Sequence, residues 1–190
     1  MTKGTIGVLY ENLPAVGHVL RHGLSKRWLR VHSLPESKRY AETDAEYVEL
    51  LRRHNEVALD LLGQDETAFL YLHHWGTAAD FSAAYSRFPW ATALESYETT
   101  TAVRSRPDLA PAEDPCIAGF SIRWSPHAWD GMLRDVADDR VPSVVLVNPK
   151  TGEAYAPYDG GADLFLAHSG RIATLATRWS AWLSKRPDGL

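Results

Sequence analysis

Cysteine is nearly missing from this sequence of 190 residues, in which Cys116 is the only one. One thiol cannot form an intrachain disulfide, and it cannot supply the several thiolates of a structural zinc site. Cys116 also lacks a nucleophile signature, since the nearby Gly-Phe-Ser-Ile-Arg at 119–123 ends in arginine where a nucleophile elbow needs glycine. We therefore expect a reducing compartment, no cofactor and no thiol or serine hydrolase chemistry of that kind.

Long apolar runs are also missing. No stretch approaches the ~18 apolar residues of a membrane span, and the N-terminal Met-Thr-Lys-Gly lacks the apolar region of a signal peptide. The sequence is 45% hydrophobic and 23% charged, which is typical of a folded globular protein. We expect a soluble cytoplasmic protein, without a membrane partner, that folds as a single domain over residues 1–190.

Charge is distributed unevenly, although the formal net charge is only −4. Residues 21–53 hold eight Lys or Arg against five Asp or Glu, whereas residues 130–163 hold three against seven. The acidic stretch would suit a basic protein partner. The basic stretch leaves room for nucleic-acid binding, but the negative balance of the whole chain and the lack of a known motif make it unlike a nucleic-acid binder.

Periodicity predicts three helices and a set of strands. Thr43 and Glu46 form a capping-box pattern before a helix over 44–62, a second helix over 170–185 follows Ser169, and a shorter one starts at Pro126 and ends near residue 138. The predicted strands are rich in β-branched and aromatic residues and cover 28–34, 68–75, 117–124, 143–147, 154–158 and 163–167. The order of elements predicts an α+β fold, with about four helices on a mainly antiparallel or mixed sheet.

Residues 95–115 show no periodicity and contain three prolines. A long polar connection of this kind is typically mobile or functional, so the segment is predicted to be a mobile loop.

Three segments carry a resemblance to a known family: Val-His-Ser-Leu-Pro-Glu-Ser-Lys-Arg-Tyr at 31–40, Ala-Pro-Tyr-Asp-Gly-Gly-Ala-Asp at 156–163, and Trp-Leu-Ser at 182–184 with Pro-Asp-Gly-Leu at 187–190. They resemble an uncharacterised bacterial family close to domain of unknown function 3885. The resemblance is good over the last third of the chain and weak between 76 and 115. It implies family membership but no activity and no catalytic residue.

The segment 32–40 is the first candidate site, because it places hydroxyls, an imidazole and two adjacent cations around one proline. Such groups could hold a phosphate or a carboxylate. The glycines of a phosphate-binding loop are missing, and a solvated loop that closes its own turns is the commoner outcome. The candidate ligand-binding residues in it are His32, Ser33, Ser37, Lys38, Arg39 and Tyr40.

Asp159 and Asp163 complete the candidate set, on either side of a Gly160-Gly161 pair. Their spacing does not match a calcium loop, so a structural turn with glycines at positive φ is favoured over a metal site. His73 and His74 are consecutive in a predicted strand and point to opposite faces, so they cannot readily hold one ion together. No metal is predicted.

Three functions remain open. The first is a non-catalytic binding protein in the bacterial cytoplasm, for example an immunity or antitoxin type of partner. The second is a small enzyme or sensor that binds a phosphate- or carboxylate-bearing ligand at the 32–40 loop, with His32 as acid or base. The third is a nucleic-acid-binding module. No catalytic residue can be named, and a non-enzyme is favoured.

Overall fold

A large antiparallel sheet with helices on both faces forms the molecule. The computed structural model describes residues 8–9, 13–75, 83–94, 97–99, 115–141 and 143–186. Its helices are α1 (Gly17–Gly23), α2 (Asp44–Leu62), α3 (Asp130–Ala137) and α4 (Gly170–Arg178). Its strands are β1 (Val8–Leu9), β2 (Leu13–Pro14), β3 (Trp28–His32), β4 (Glu66–Trp75), β5 (Tyr97–Thr99), β6 (Pro115–Trp124), β7 (Val144–Val147), β8 (Ala154–Tyr158) and β9 (Gly161–Phe165).

The seven-stranded sheet has the order β3-β9-β8-β7-β4-β6-β5, and β1 and β2 form a separate ribbon. Every neighbouring pair in the sheet is antiparallel. Strands β4 and β6 are paired along their whole length, from Glu66 opposite Trp124 to Trp75 opposite Pro115. The predicted α+β fold, with a mainly antiparallel sheet and about four helices, is confirmed.

The two faces of the sheet are covered unequally. Helices α2, α3 and α4 pack on one face, where Leu61, Leu133 and Trp179 join a core that includes the strand residues Leu70 and Leu146. Among the described helices, only α1 packs on the other face, where its Leu20 is fully buried. The described residues therefore form a thinner layer on the α1 side of the sheet.

Helix α2 has the predicted bounds, 44–62, because its end signals are local. The Thr43 side chain accepts a hydrogen bond from the Glu46 backbone, and the Glu46 carboxylate accepts one from the Thr43 backbone. These bonds satisfy amides that the first turn leaves without a partner. Gly63 ends the helix with φ 84°, a conformation that favours glycine.

Two predicted helix boundaries were wrong. The C-terminal helix ends at Arg178, where Trp179 leaves helical geometry and a short 3₁₀ turn follows, and the Ser169 side chain makes no capping bond. This break buries Trp179 and stacks its ring on Trp182, with centroids 6.3 Å apart. Helix α3 starts at Asp130, after a turn that begins at Pro126.

Part of the segment 95–115, which was predicted to be a mobile loop, belongs to strands of the sheet. Residues 97–99 form β5, which pairs with β6, and Pro115 begins β6. Residues 95–96 and 100–114 lie outside the described part of the chain, so a mobile loop stays a prediction for them. Among the described helices, none is long and apolar enough to cross a membrane.

Glycine is required in the Gly160-Gly161 pair for a different reason from the one predicted. Neither glycine has a positive φ. Gly161 is required instead by close packing, since a Cβ atom there would lie 2.0 Å from the carbonyl oxygen of Val31 in the neighbouring β3. That oxygen belongs to the backbone, so it cannot relieve the clash by a change of side-chain rotamer.

Replacing Gly161 with alanine should therefore weaken the attachment of β3. We expect Gly161→Ala to lower the free energy of unfolding by about 3 kcal/mol, the upper end of typical over-packing costs. Gly131→Ala is the matched control, because the nearest atom to its Cβ would be 3.8 Å away and alanine favours a helix. Chemical denaturation would measure both, and equal stabilities would contradict this role of Gly161.

Candidate functional site

A cavity of ≈310 Å³ lies between α1 and the less covered face of the sheet. Its volume is at the lower end of the range for small-molecule sites. Val16, Val144, Ala156 and Pro157 give it an apolar wall. Its polar wall combines side chains from α1, from the strands β3, β4, β8 and β9, and from the residue before β7. These residues are His18, Arg21, Arg30, His73, Ser143, Tyr158 and Asp163.

One side of the polar wall is fixed by an ion pair between two neighbouring strands. Arg30 lies opposite Asp163 in the β3–β9 register and donates from Nε at 2.7 Å and from Nη2 at 2.9 Å to the two carboxylate oxygens. The Trp28 indole donates to the same carboxylate at 2.8 Å. The Arg30 guanidinium also lies 4.6 Å from the centroid of the Tyr158 ring. The charges of Arg30 and Asp163 therefore offset each other locally.

Arg21 contributes the charge that no carboxylate of the described residues offsets. Its side chain is half-buried on α1, and among the described residues it forms no hydrogen bond or ion pair. A guanidinium carries five donors in a planar fork that matches carboxylate and phosphate oxygens. Arg21 is therefore a cation available to a ligand in the cavity.

Two imidazoles complete the polar wall. Burial lowers the pKa of His73 to about 4, with further contributions from the nearby His18 and His74. Burial also lowers the pKa of His18, assisted by the positive charge of Arg21. Both rings are therefore neutral near pH 7, when each can donate one hydrogen bond. Burial raises the pKa of Tyr158 to about 12, so its hydroxyl remains a donor.

The predicted 32–40 loop lies elsewhere, and its cations already have partners. Lys38 donates to Glu42 at 2.9 Å and to Glu46 at 2.7 Å. Arg39 is paired with Asp159, whose carboxylate also accepts a bond from the Tyr40 hydroxyl at 3.0 Å. A free anion would have to compete with these carboxylates. The anion site predicted for this loop stays a prediction.

The other predicted residues lie in four different places. Ser37 is exposed in a short 3₁₀ turn, and His32 is half-buried with a pKa lowered by burial. Ser33 is buried under α2. Asp163 alone among the predicted residues lines the cavity. The predicted residues therefore do not form one site.

Ser33 belongs to a buried chain of hydrogen bonds that resembles catalytic machinery. Its hydroxyl lies 2.7 Å from Nε2 of His54, and Nδ1 of the same ring is hydrogen-bonded to the Tyr155 hydroxyl. The three residues are 2%, 3% and 0% exposed, and a water molecule does not fit in the space beside them. Burial lowers the pKa of His54 to about 4, so its ring is neutral. A substrate cannot reach these hydrogen bonds. They connect the end of β3 to α2 and β8 and therefore have a structural role.

Apart from Asp163, the polar residues that line the cavity were missed because no local signal connects them. Arg21 and Arg30 lie in the basic stretch 21–53, and His73 was considered only as a metal ligand together with His74. The strand order β3-β9-β8-β7-β4 brings Arg30 and His73 to one face of the sheet, and α1, which packs on that face, adds Arg21. Within the described part of the chain, no group of three His, Cys, Asp or Glu could hold a metal ion.

Removing the Tyr155 hydroxyl should destabilise the fold. In Tyr155→Phe the buried Nδ1 of His54 loses its partner, which we expect to lower the free energy of unfolding by about 1–3 kcal/mol. Tyr40→Phe is the matched control, because Tyr40 is 44% exposed and water can replace its hydroxyl, so the expected change is within about 0.5 kcal/mol. Urea unfolding compares them, and a neutral Tyr155→Phe would refute the structural role.

Comparison with known proteins supplies a family but no activity. No curated protein and no solved structure was found to match the chain. A family model described as Domain of unknown function (DUF3885) matches residues 16–187, which include both walls of the cavity. The resemblance predicted from segments 31–40 and 156–163 is confirmed. The chain therefore belongs to the DUF3885 family.

Proposed function

We propose that the chain is a non-catalytic binding protein whose ligand is a small molecule with a phosphate or carboxylate group, held in the cavity between α1 and the sheet. The observation that carries this proposal is Arg21, a half-buried guanidinium with no partner among the described residues. A buried or half-buried charge is normally paired. An anionic ligand would supply the missing partner.

The two walls of the cavity suit the two parts of such a ligand. Arg21 would bind the acid group, and the hydroxyls of Ser143 and Tyr158 are further donors in the polar wall. The apolar wall, with Val16 and Ala156, would contact the uncharged body of the ligand. Small-molecule sites usually combine an apolar surface with polar groups that orient the ligand, and both are present here.

A protein partner of the immunity or antitoxin type finds less support. That hypothesis relied on the acidic stretch 130–163, and among its carboxylates only Asp139 accepts no hydrogen bond from a described residue. Acidic groups that are paired internally offer little to a basic partner. The protein partner, the nucleic-acid module and the cytoplasmic location stay predictions.

The proposal is tested by a thermal-shift screen of carboxylated and phosphorylated metabolites. A ligand present at 100 times its Kd stabilises the folded state by about 2.7 kcal/mol, which raises Tm by roughly 5–10 °C for a chain of this length. We expect such a shift in the wild type and its loss in Arg21→Gln, since the guanidinium is the main contact for the acid group.

Lys26→Gln is the matched control, because it removes the same charge from an exposed residue outside the cavity. The ligand shift should be kept in this variant. Equal losses in Arg21→Gln and Lys26→Gln would mean that the shift reports only general attraction of anions, and the cavity would then not be the site.

A further inference from the structure

The cavity wall carries more positive than negative charge, and the excess depends on whether its two histidines are protonated. The described lining residues include four basic side chains and one carboxylate. The basic residues are His18, Arg21, Arg30 and His73, and the carboxylate belongs to Asp163. The Arg30–Asp163 pair is neutral as a unit. At neutral pH the wall therefore has one uncompensated positive charge, on Arg21, beside two neutral imidazoles.

The protein groups around the two imidazoles favour their neutral forms. On α1, Arg21 and His22 lower the pKa of His18. From β4, His73 lines the cavity, and the charges of His18 and of the neighbouring His74 lower its pKa. The carboxylate from β9 is occupied by the arginine from β3, and the phenol from β8 is uncharged. No other charged group of the described residues lines the cavity.

A bound anion would reverse this balance, because a negative charge a few ångströms away favours the protonated form of an imidazole. We propose that the cavity takes a doubly charged oxyanion group, of the phosphate-monoester or sulfate class, together with one proton that the His18–His73 pair takes up. Arg21 offsets the first negative charge, and the new imidazolium offsets the second. This inference rests on the proposed function and narrows its ligand class.

His18 is the better acceptor of that proton. His18 is only partly shielded from water, whereas His73 is 5% exposed, so charging His18 costs less desolvation. The sign of the pH effect follows by linkage. The complex holds more protons than the free protein, so the affinity for a doubly charged anion falls as pH rises, by up to about tenfold per pH unit.

Sulfate and formate are suitable probes, since sulfate is doubly charged and formate singly charged between pH 5.5 and 7.5. Titration calorimetry at several pH values, in buffers of different ionisation enthalpy, measures the affinity and the number of protons taken up. For sulfate we expect the Kd to rise by roughly three- to tenfold per pH unit, with about one proton taken up at the acidic end. Formate should show a clearly smaller slope.

The variants separate the histidines from the rest of the site. His18→Gln combined with His73→Gln should abolish the pH slope for sulfate, while His22→Gln, an exposed neighbour outside the lining, should retain it. Sulfate binding that is independent of pH, or a slope that survives in the double variant, would overturn proton coupling and leave the proposed function intact. Failure of both anions to bind, in wild type and Arg21→Gln alike, would overturn both proposals.

Discussion

The ion pair between Arg30 and Asp163 is the interaction on which the rest of the site depends. It joins residues that are 133 positions apart in the sequence and are directly opposite in β3 and β9. Both side chains are largely buried, at 13% and 7% exposure, so neither charge could remain there without the other. The pair removes the one carboxylate of the described cavity wall from competition with a ligand. It thereby leaves Arg21 as the charge that a ligand would meet.

Strand β3, at the edge of the sheet, is held by two further interactions. Gly161 lets the β3 backbone approach β9 more closely than any side chain would allow. On the opposite face, the hydrogen bonds from Ser33 through His54 to Tyr155 connect the end of β3 to α2 and β8. Strand β3 is thus fixed by charge, by backbone contact and by a buried polar chain. This rigidity places Arg30 at a constant position in the cavity wall.

Much of the fold could be predicted from the sequence, because its signals are local. The capping box at Thr43 and Glu46 is read from neighbouring residues, and it was found as predicted. The end of the last helix was missed since its apolar pattern continues to residue 183. The packing of Trp179, a tertiary effect, breaks the helix earlier.

The site could be predicted far less well, for a related physical reason. Lys38 and Arg39 are adjacent and look available in the sequence, but Glu46 and Asp159 are brought to them by the fold. Arg21 has no sequence feature that sets it apart from other cations of the basic stretch. Whether a charged side chain is free depends on the partners that the order of the strands brings to it. The order of the strands cannot be predicted from any single segment of the sequence.

The central claim, that the cavity beside α1 is an anion site, is tested most directly by a crystal structure of the protein with selenate. Selenate is a doubly charged oxyanion, and the anomalous scattering of selenium locates it without ambiguity. The account predicts selenate in the cavity within hydrogen-bond distance of the Arg21 guanidinium. Selenate bound at the 32–40 loop, with the cavity empty at the same concentration, would contradict it.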